Sequence, residues 1–474
     1  MDHPIRQAAH VTPSARQLAW QELEFTAFVH FGVNTFTDRE WGEGTEDPAV
    51  FYPTGLDARQ WVSVFRDAGM RGVILTAKHH DGFCLWPSRH TDHSVRQSPW
   101  KGGQGDVVRE LSAACAEAGL KLGLYLSPWD RHEPTYGDSP AYNEHFRNQL
   151  RELLTEYGEL YCLWFDGACG EGPNGKRQEY DWVSYYELIR ELQPQACISI
   201  CGPDVRWCGN EAGHCRESEW SVVPAYLSCQ EVVAGKSQQA DDPAFAQRVN
   251  TTDQDLGSRE QIARARSLIW YPSEVDVSIR PGWFYHAGED DRVKSLDHLL
   301  EIYYGSVGGN AVLLLNVPPD RRGLIHEVDA ARLRELGGVL RRTFAHDLAR
   351  GARASASEAD AVHAASCAVD GKAETYWRPH EGTEQAWLEL DLGREATFGC
   401  ACLQECICEG QRVERCALEV RQAGRWRPIA AATTIGYKRL LRFPAVTARS
   451  VRLSILESRC RPTIAAFALY QSGD

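Results

Sequence analysis

Leu160-Tyr161-Cys162-Leu163-Trp164-Phe165-Asp166-Gly167 is an apolar run that stops on a carboxylate, with a glycine behind it. Such a run reads as a buried strand, and one that ends on an acid presents a catalytic group at its carboxyl end. Three further runs share the plan. Phe25–His30 ends on His30, Val73–Ala77 leads into Lys78-His79-His80-Asp81, and Lys121–Leu126 leads into Ser127-Pro128-Trp129-Asp130. Four strands ending in polar or aromatic groups point to one face of a parallel sheet carrying one active site.

Helical periodicity fills the intervals. It covers 57–68, 107–118, 142–157 and 185–192, the last leading into a strand at 196–201, and 293–304 precedes the buried strand 310–316. Strand-helix alternation of this length predicts a (β/α)8-like barrel of roughly 250 to 340 residues, with its chemistry at the carboxyl ends of the strands. Residues 222–279 show no clear pattern, so the later barrel strands stay unassigned. Beyond the Arg-Gly-Ala-Arg-Ala-Ser stretch at 350–355 the pattern is all-β, with short strands at 386–392, 398–408, 416–421, 440–443 and 450–456. The expected organisation is a catalytic barrel over 1–343 and a β-sandwich of jelly-roll type over 344–474.

The 474-residue chain is 43% hydrophobic, enough for a large core and more than one domain. Its net charge of −14 argues against a nucleic-acid partner, and no apolar stretch approaches a membrane span. Met1-Asp2-His3-Pro4-Ile5-Arg6 lacks the apolar core of a secretory signal, so the expected location is cytoplasmic, or extracellular if a leader has been removed. The 16 cysteines then read as reduced, mostly buried thiols. Cys400, Cys402, Cys406 and Cys408, spaced by two within a predicted strand, read as small hydrophobes on one face rather than zinc ligands. Oligomeric state is not legible.

His30, His79, His80 and Asp81 admit three readings: a zinc site, buried structural imidazoles, or neutral imidazoles bonding sugar hydroxyls. No His-x-His pair is present, and neighbours such as His79 and His80 face opposite sides of a strand unless it has already broken into a loop. The 15 tryptophans include Trp41, Trp86, Trp129, Trp207 and Trp283 beside glycine, proline or charge, and Trp164 two residues before Asp166. Singly these are core residues; as a set at strand ends they resemble stacking platforms for a sugar ring. Glycoside hydrolysis needs one ionised and one protonated carboxyl. Asp166 supplies the first, and Glu211, Glu217 and Glu219 compete for the second, with spacing unable to choose. Gly167-Ala-Cys-Gly170-Glu-Gly172 only partly imitates a dinucleotide loop, and no serine or cysteine nucleophile elbow occurs.

Taken together, His30-Phe-Gly, Glu40-Trp41-Gly, Lys78-His-His-Asp-Gly-Phe83, Tyr125-Leu-Ser127 and Leu163-Trp-Phe-Asp-Gly167 resemble the α-L-fucosidases of glycoside hydrolase family 29. Asp204–Glu211, Glu219–Pro224 and Arg280–His286 resemble the family's α-1,3/1,4-selective branch. The resemblance implies a retaining, cofactor-free and metal-independent exo-hydrolase acting on Lewis-type fucosylated oligosaccharides. Asp166 would be the nucleophile and Glu211 the acid/base, with Glu217 the second choice. His30, Glu40, Trp41, His79, His80, Tyr125, Trp164, Trp283 and, more weakly, Arg206 would hold fucose. Broader linkage specificity including α-1,2, a non-catalytic fucose lectin and a barrel metallohydrolase are the alternatives. Val369–Trp377 and Trp387–Gly393 resemble galactose-binding-like modules of carbohydrate-binding family 32. Many of these hold calcium through a third-position Asp or Asn in the Asp-Gly loop; Lys372 stands there instead, which argues against calcium.

Overall fold

The computed structural model describes residues 3–236 and 254–471. Its first part is a parallel sheet of eight strands: β1 Phe25–Val29, β2 Gly72–Lys78, β3 Lys121–Leu126, β4 Leu160–Phe165, β5 Cys197–Ile200, β6 Arg206–Trp207, β7 Ser273–Ser278 and β8 Ala311–Asn316. Their order is β5-β4-β3-β2-β1-β8-β7-β6. The two end strands meet through a single parallel bridge, Ser199 to Val205, so the barrel is nearly closed.

Alternation along each strand sorts the side chains. Ala27, Leu75, Leu124, Leu163, Val275 and Leu313 pack outward against the helices. Phe28, Ile74, Tyr125, Cys162, Trp164 and Leu314 fill the barrel interior. On β7 the outward positions are Val275 and Val277, so Glu274, Asp276 and Ser278 project inward. Polar residues on the inner phase are why 222–279 resists sequence reading. The part of that stretch at 237–253 lies outside the described residues.

Among the described residues, the helices of eleven residues or more that precede the C-terminal domain are α1 Ala58–Ala68, α2 Val107–Ala118, α3 Ser139–Glu156, α4 Trp182–Leu192, α5 Leu296–Ser306 and α6 Glu327–Thr343. Asp57, Asp106, Asp181 and Ser295 cap α1, α2, α4 and α5 with side-chain acceptors, each stabilising its helix by about 1 kcal/mol. No helix separates β5 from β6. The turn is made instead by residues 201–205, with Ile200 at φ 69°, a conformation that strains a β-branched residue. No helix among the described residues is long and apolar enough to cross a membrane.

The C-terminal domain is an antiparallel sheet of β9 Arg353–Ala356, β10 Ala386–Glu405, β11 Val413–Gln422, β12 Arg425–Ala432, β13 Arg439–Ser458 and β14 Ile464–Tyr470. The order is β9-β10-β13-β11-β12, with β14 on β10. Leu388, Leu390, Val451, Leu453 and Phe467 build its separate core around Trp377. β10 ends at Glu405, so only Cys400 and Cys402 share a buried strand face; Cys406 and Cys408 lie in the following turn, a correction to the four-cysteine strand. All sixteen cysteines are free thiols. Asp370 accepts hydrogen bonds from the Lys372 N–H and the Thr375 hydroxyl, so this loop closes on itself.

Candidate active site

The carboxyl ends of β1–β4 and β6–β8 converge on one cavity. β2 stops at Lys78, whose ammonium is buried between Asp130 and Gln149, 2.8 Å from each. Burial opposes the Asp130 charge, yet the Lys78 ammonium outweighs it and holds the carboxyl down to about 2. Because the strand ends there, His79 and His80 fall in a turn and lie side by side, ring centroids 4.1 Å apart.

Hydrogen-bond partners fix what two of the rings offer. Asn316 donates its amide N–H groups to the Trp283 carbonyl (2.8 Å) and the Ser278 hydroxyl (2.9 Å). Its Oδ1 therefore accepts from His30 Nδ1 at 2.8 Å. Ser127 donates to the Trp129 carbonyl at 2.6 Å, so its oxygen accepts from His80 Nδ1 at 2.8 Å. Burial lowers both imidazoles to about 4. At neutral pH each is uncharged and offers a bare Nε2 as an acceptor, which suits a hydroxyl donor. His79 is pushed well down by burial and by its histidine neighbours, and its Nδ1 makes no hydrogen bond, with Asp81 Oδ2 4.0 Å away. The set of three whose ligand atoms lie within 4.8 Å of one another, among the described residues, is elsewhere: Asp320, His326 and Glu327.

Asp166 sits one residue beyond β4. Its Oδ1 accepts the Ala168 N–H at 2.9 Å and its Oδ2 the Tyr125 hydroxyl at 3.1 Å, with His80 Nε2 3.7 Å away. The Asp166 side chain stays 28% exposed. Trp41 stands edge-on to His80 and Trp129, at 5.0 and 5.5 Å. Gly170 lets the following loop close over Trp129, because a Cβ there would lie 2.5 Å from the indole.

Opposite lies Glu211, on the loop after β6. Burial pushes its carboxyl well up, and the nearby charges of Asp276, Asp166 and Glu40 push the same way. The Trp283 indole N–H, 3.3 Å from Oε2, pulls weakly against them. The Glu211 environment thus favours the neutral carboxyl. Two inward carboxyls of β7 complete the group and were not anticipated. Glu274 accepts from Trp164 Nε1 and Asp276 from Trp207 Nε1, both at 2.7 Å. Burial raises Glu274 to about 8 and Asp276 above its ordinary range. The available signal was the alternation Glu274-Val-Asp276-Val-Ser278.

Several anticipated residues have other partners. Glu40 anchors the 282–286 segment: Oε2 accepts the Trp283 N–H (2.8 Å), and Oε1 accepts the Phe284 N–H (3.1 Å) and His286 Nε2 (2.7 Å). Hydrogen bonding to Glu40 raises His286 to about 9, so it is an imidazolium at neutral pH. Arg206 is corrected from a sugar ligand to a buried strut, its donors taken by the Tyr271 and Trp220 carbonyls, Ser273 and Glu219. Glu219 is consumed by that ion pair, and Glu217 is exposed where the C-terminal domain meets the barrel. Of the three glutamates left open by spacing, Glu211 alone lies at the cavity.

The model of the alpha-L-fucosidase family matches residues 20–343, and that of the F5/8 type C domain residues 352–468. Alpha-L-fucosidase 1 of Arabidopsis thaliana is 43% identical over 466 residues, covering 97% of this chain and 87% of the plant protein. A Ruminococcus gnavus GH29 fucosidase solved with fucose superposes with a TM-score of 0.85 at 32% identity, covering 98% of this chain and 95% of that one. A glycoside hydrolase 29 family member from an unknown rumen bacterium gives 0.79 at 38% identity, covering 98% and 78%.

Proposed function

The chain belongs to the alpha-L-fucosidase family and is a glycoside hydrolase, and from that premise we propose that it cleaves α-1,3- and α-1,4-linked fucose from Lewis-type oligosaccharides with retention. The observation that carries this reading is one site that joins Asp166, bonded by the Tyr125 hydroxyl and the Ala168 N–H, to a Glu211 whose carboxyl is pushed well up. Opposed environments of this kind separate a nucleophile from an acid.

In the first step an Asp166 oxygen attacks the anomeric carbon while Glu211 gives its proton to the departing glycosidic oxygen. An ester between fucose and Asp166 forms as the glycosidic bond breaks. Glu211, now ionised, then takes a proton from water as that water attacks the same carbon. Fucose leaves, Asp166 recovers its charge and Glu211 its proton. His30 and His80 accept hydrogen bonds from sugar hydroxyls, while Trp41, His79, Tyr125, Trp164 and Trp283 shape the pocket around the ring. No metal takes part in this scheme, and activity should survive exhaustive chelation.

The linkage preference is supported by the Asp204–Glu211, Glu219–Pro224 and Arg280–His286 motifs. Free fucose released in parallel from Lewis a, Lewis x and 2′-fucosyllactose tests it. Release from the Lewis sugars with little from 2′-fucosyllactose is expected. The reverse would assign broader or α-1,2 specificity, and release from none would favour a lectin. The anomer first formed, followed by NMR, tests retention.

A further inference from the structure

We propose that the C-terminal domain is part of the catalytic unit, with Gln411 and Thr434 acting as positioning residues for the loop that carries Glu211. The inference rests on the reading of Glu211 as the proton donor and adds how that donor is held.

The loop leaves the two-residue strand β6 and has no helix or ladder of its own to fix it. Side chains close it instead. Arg216 Nη1 donates to the Cys208 carbonyl at 2.9 Å, drawing the two ends of the 208–216 segment together. The Glu219 carboxylate grips both sides of that closure, pairing with Arg206 before the loop and accepting the Arg216 N–H (3.1 Å) after it. Glu219 is therefore the knot of the loop.

The backbone of that knot is held from the other domain. Gln411, fully buried, donates Nε2–H to the Glu219 carbonyl at 3.0 Å and accepts the Ser221 N–H at 2.8 Å. One side-chain amide thus reproduces the two-way pairing that a neighbouring strand would give. Thr434 adds its hydroxyl to the Glu219 carbonyl at 3.4 Å, beside Asn310 of the barrel at 2.9 Å. Thr433 and Arg439 hold the Glu217 carbonyl at 2.8 and 3.0 Å. Other interdomain bonds, such as Lys438 to Glu24 and Leu440 to Gly308, touch no part of this segment. The contacts on 217–221 have one mechanical consequence: they set the ground on which Glu211 stands.

The test compares substrates that differ in their need for a proton. In the full-length protein, Gln411→Ala should lower kcat/KM on Lewis a trisaccharide, or on whichever fucosylated glycan is cleaved best, at least tenfold. It should change kcat/KM for α-L-fucosyl fluoride, which reports the first step alone and whose leaving group needs little protonation, less than twofold. Equal losses on both substrates, or no loss on either, would overturn the inference. Should Gln411→Ala fail to fold, Thr434→Val against Thr434→Ser decides, with selective loss expected for valine and recovery for serine. Glu211→Ala, run in parallel, separates the two levels. If it discriminates between the substrates and the Gln411 and Thr434 variants do not, the bracing role alone falls. If Glu211→Ala treats both substrates alike, the donor assignment falls and this inference with it.

Discussion

Asp166 is carried by a six-residue strand paired on both sides, whereas Glu211 rides a loop behind a strand of two residues. The first is placed by backbone hydrogen bonds that no side-chain substitution removes. The second is placed by side chains: Arg206, Arg216, Glu219 and groups of the other domain. On the proposed mechanism, a nucleophile on a ladder tolerates change around it, while a proton donor on a knotted loop is exposed to every partner in the knot.

The largest expected effect belongs to the ladder. Asp166→Ala should lower turnover by about 10⁴-fold or more, with thermal stability and fucose binding retained. Near-normal turnover would dissolve the comparison. Glu211→Ala should lose about 10²- to 10⁴-fold on glycans, with azide restoring turnover of activated substrates. Glu217→Gln should stay within twofold of the parent, and a reversal between the two would move the donor. Glu219→Ala should destabilise the protein by about 3–5 kcal/mol, because it leaves the Arg206 guanidinium buried and unpaired; an unchanged Tm would show that the knot is not structural.

The smallest effect is a shift in pH. In the proposed mechanism Glu211 must be protonated for the first step, so activity should fall as pH rises through its pKa. The Trp283 N–H favours the charged form, and Trp283→Phe removes it. The pKa then rises, and the basic limb of kcat/KM should move alkaline. An acid shift would show that Trp283 acts through the shape of the pocket instead.

The same contrast explains what could be read from residues alone. Strands β1–β5 and β8 announce themselves because both faces are buried and their runs are continuously apolar. Asp166 is legible as the residue on which such a run stops. β7 is not, because Glu274, Asp276 and Ser278 face a polar barrel interior and imitate an exposed edge. β6 is too short to show any period. Choosing Glu211 over Glu217 and Glu219 required knowing that one glutamate faces the cavity, one pairs with Arg206 and one meets the second domain. Arg206 shares the cavity's sequence neighbourhood but turns its guanidinium away. His79 and His80 share a side because β2 ends at Lys78, a boundary set by the buried pairing with Asp130 and Gln149 that lies far away in the chain.

The hydrogen-bond directions fixed at His30 and His80 bear on the design of ligands. Both rings keep a lone pair on Nε2, so a ligand that meets either ring must bring the hydrogen. Fluorine matches a hydroxyl closely in size but cannot donate. A sugar fluorinated at a hydroxyl that meets either ring would set a C–F dipole against an imidazole lone pair, whereas an amine at the same carbon would satisfy it. Inhibitors and covalent probes for this enzyme should therefore keep their donors at those two positions and take their substitutions elsewhere.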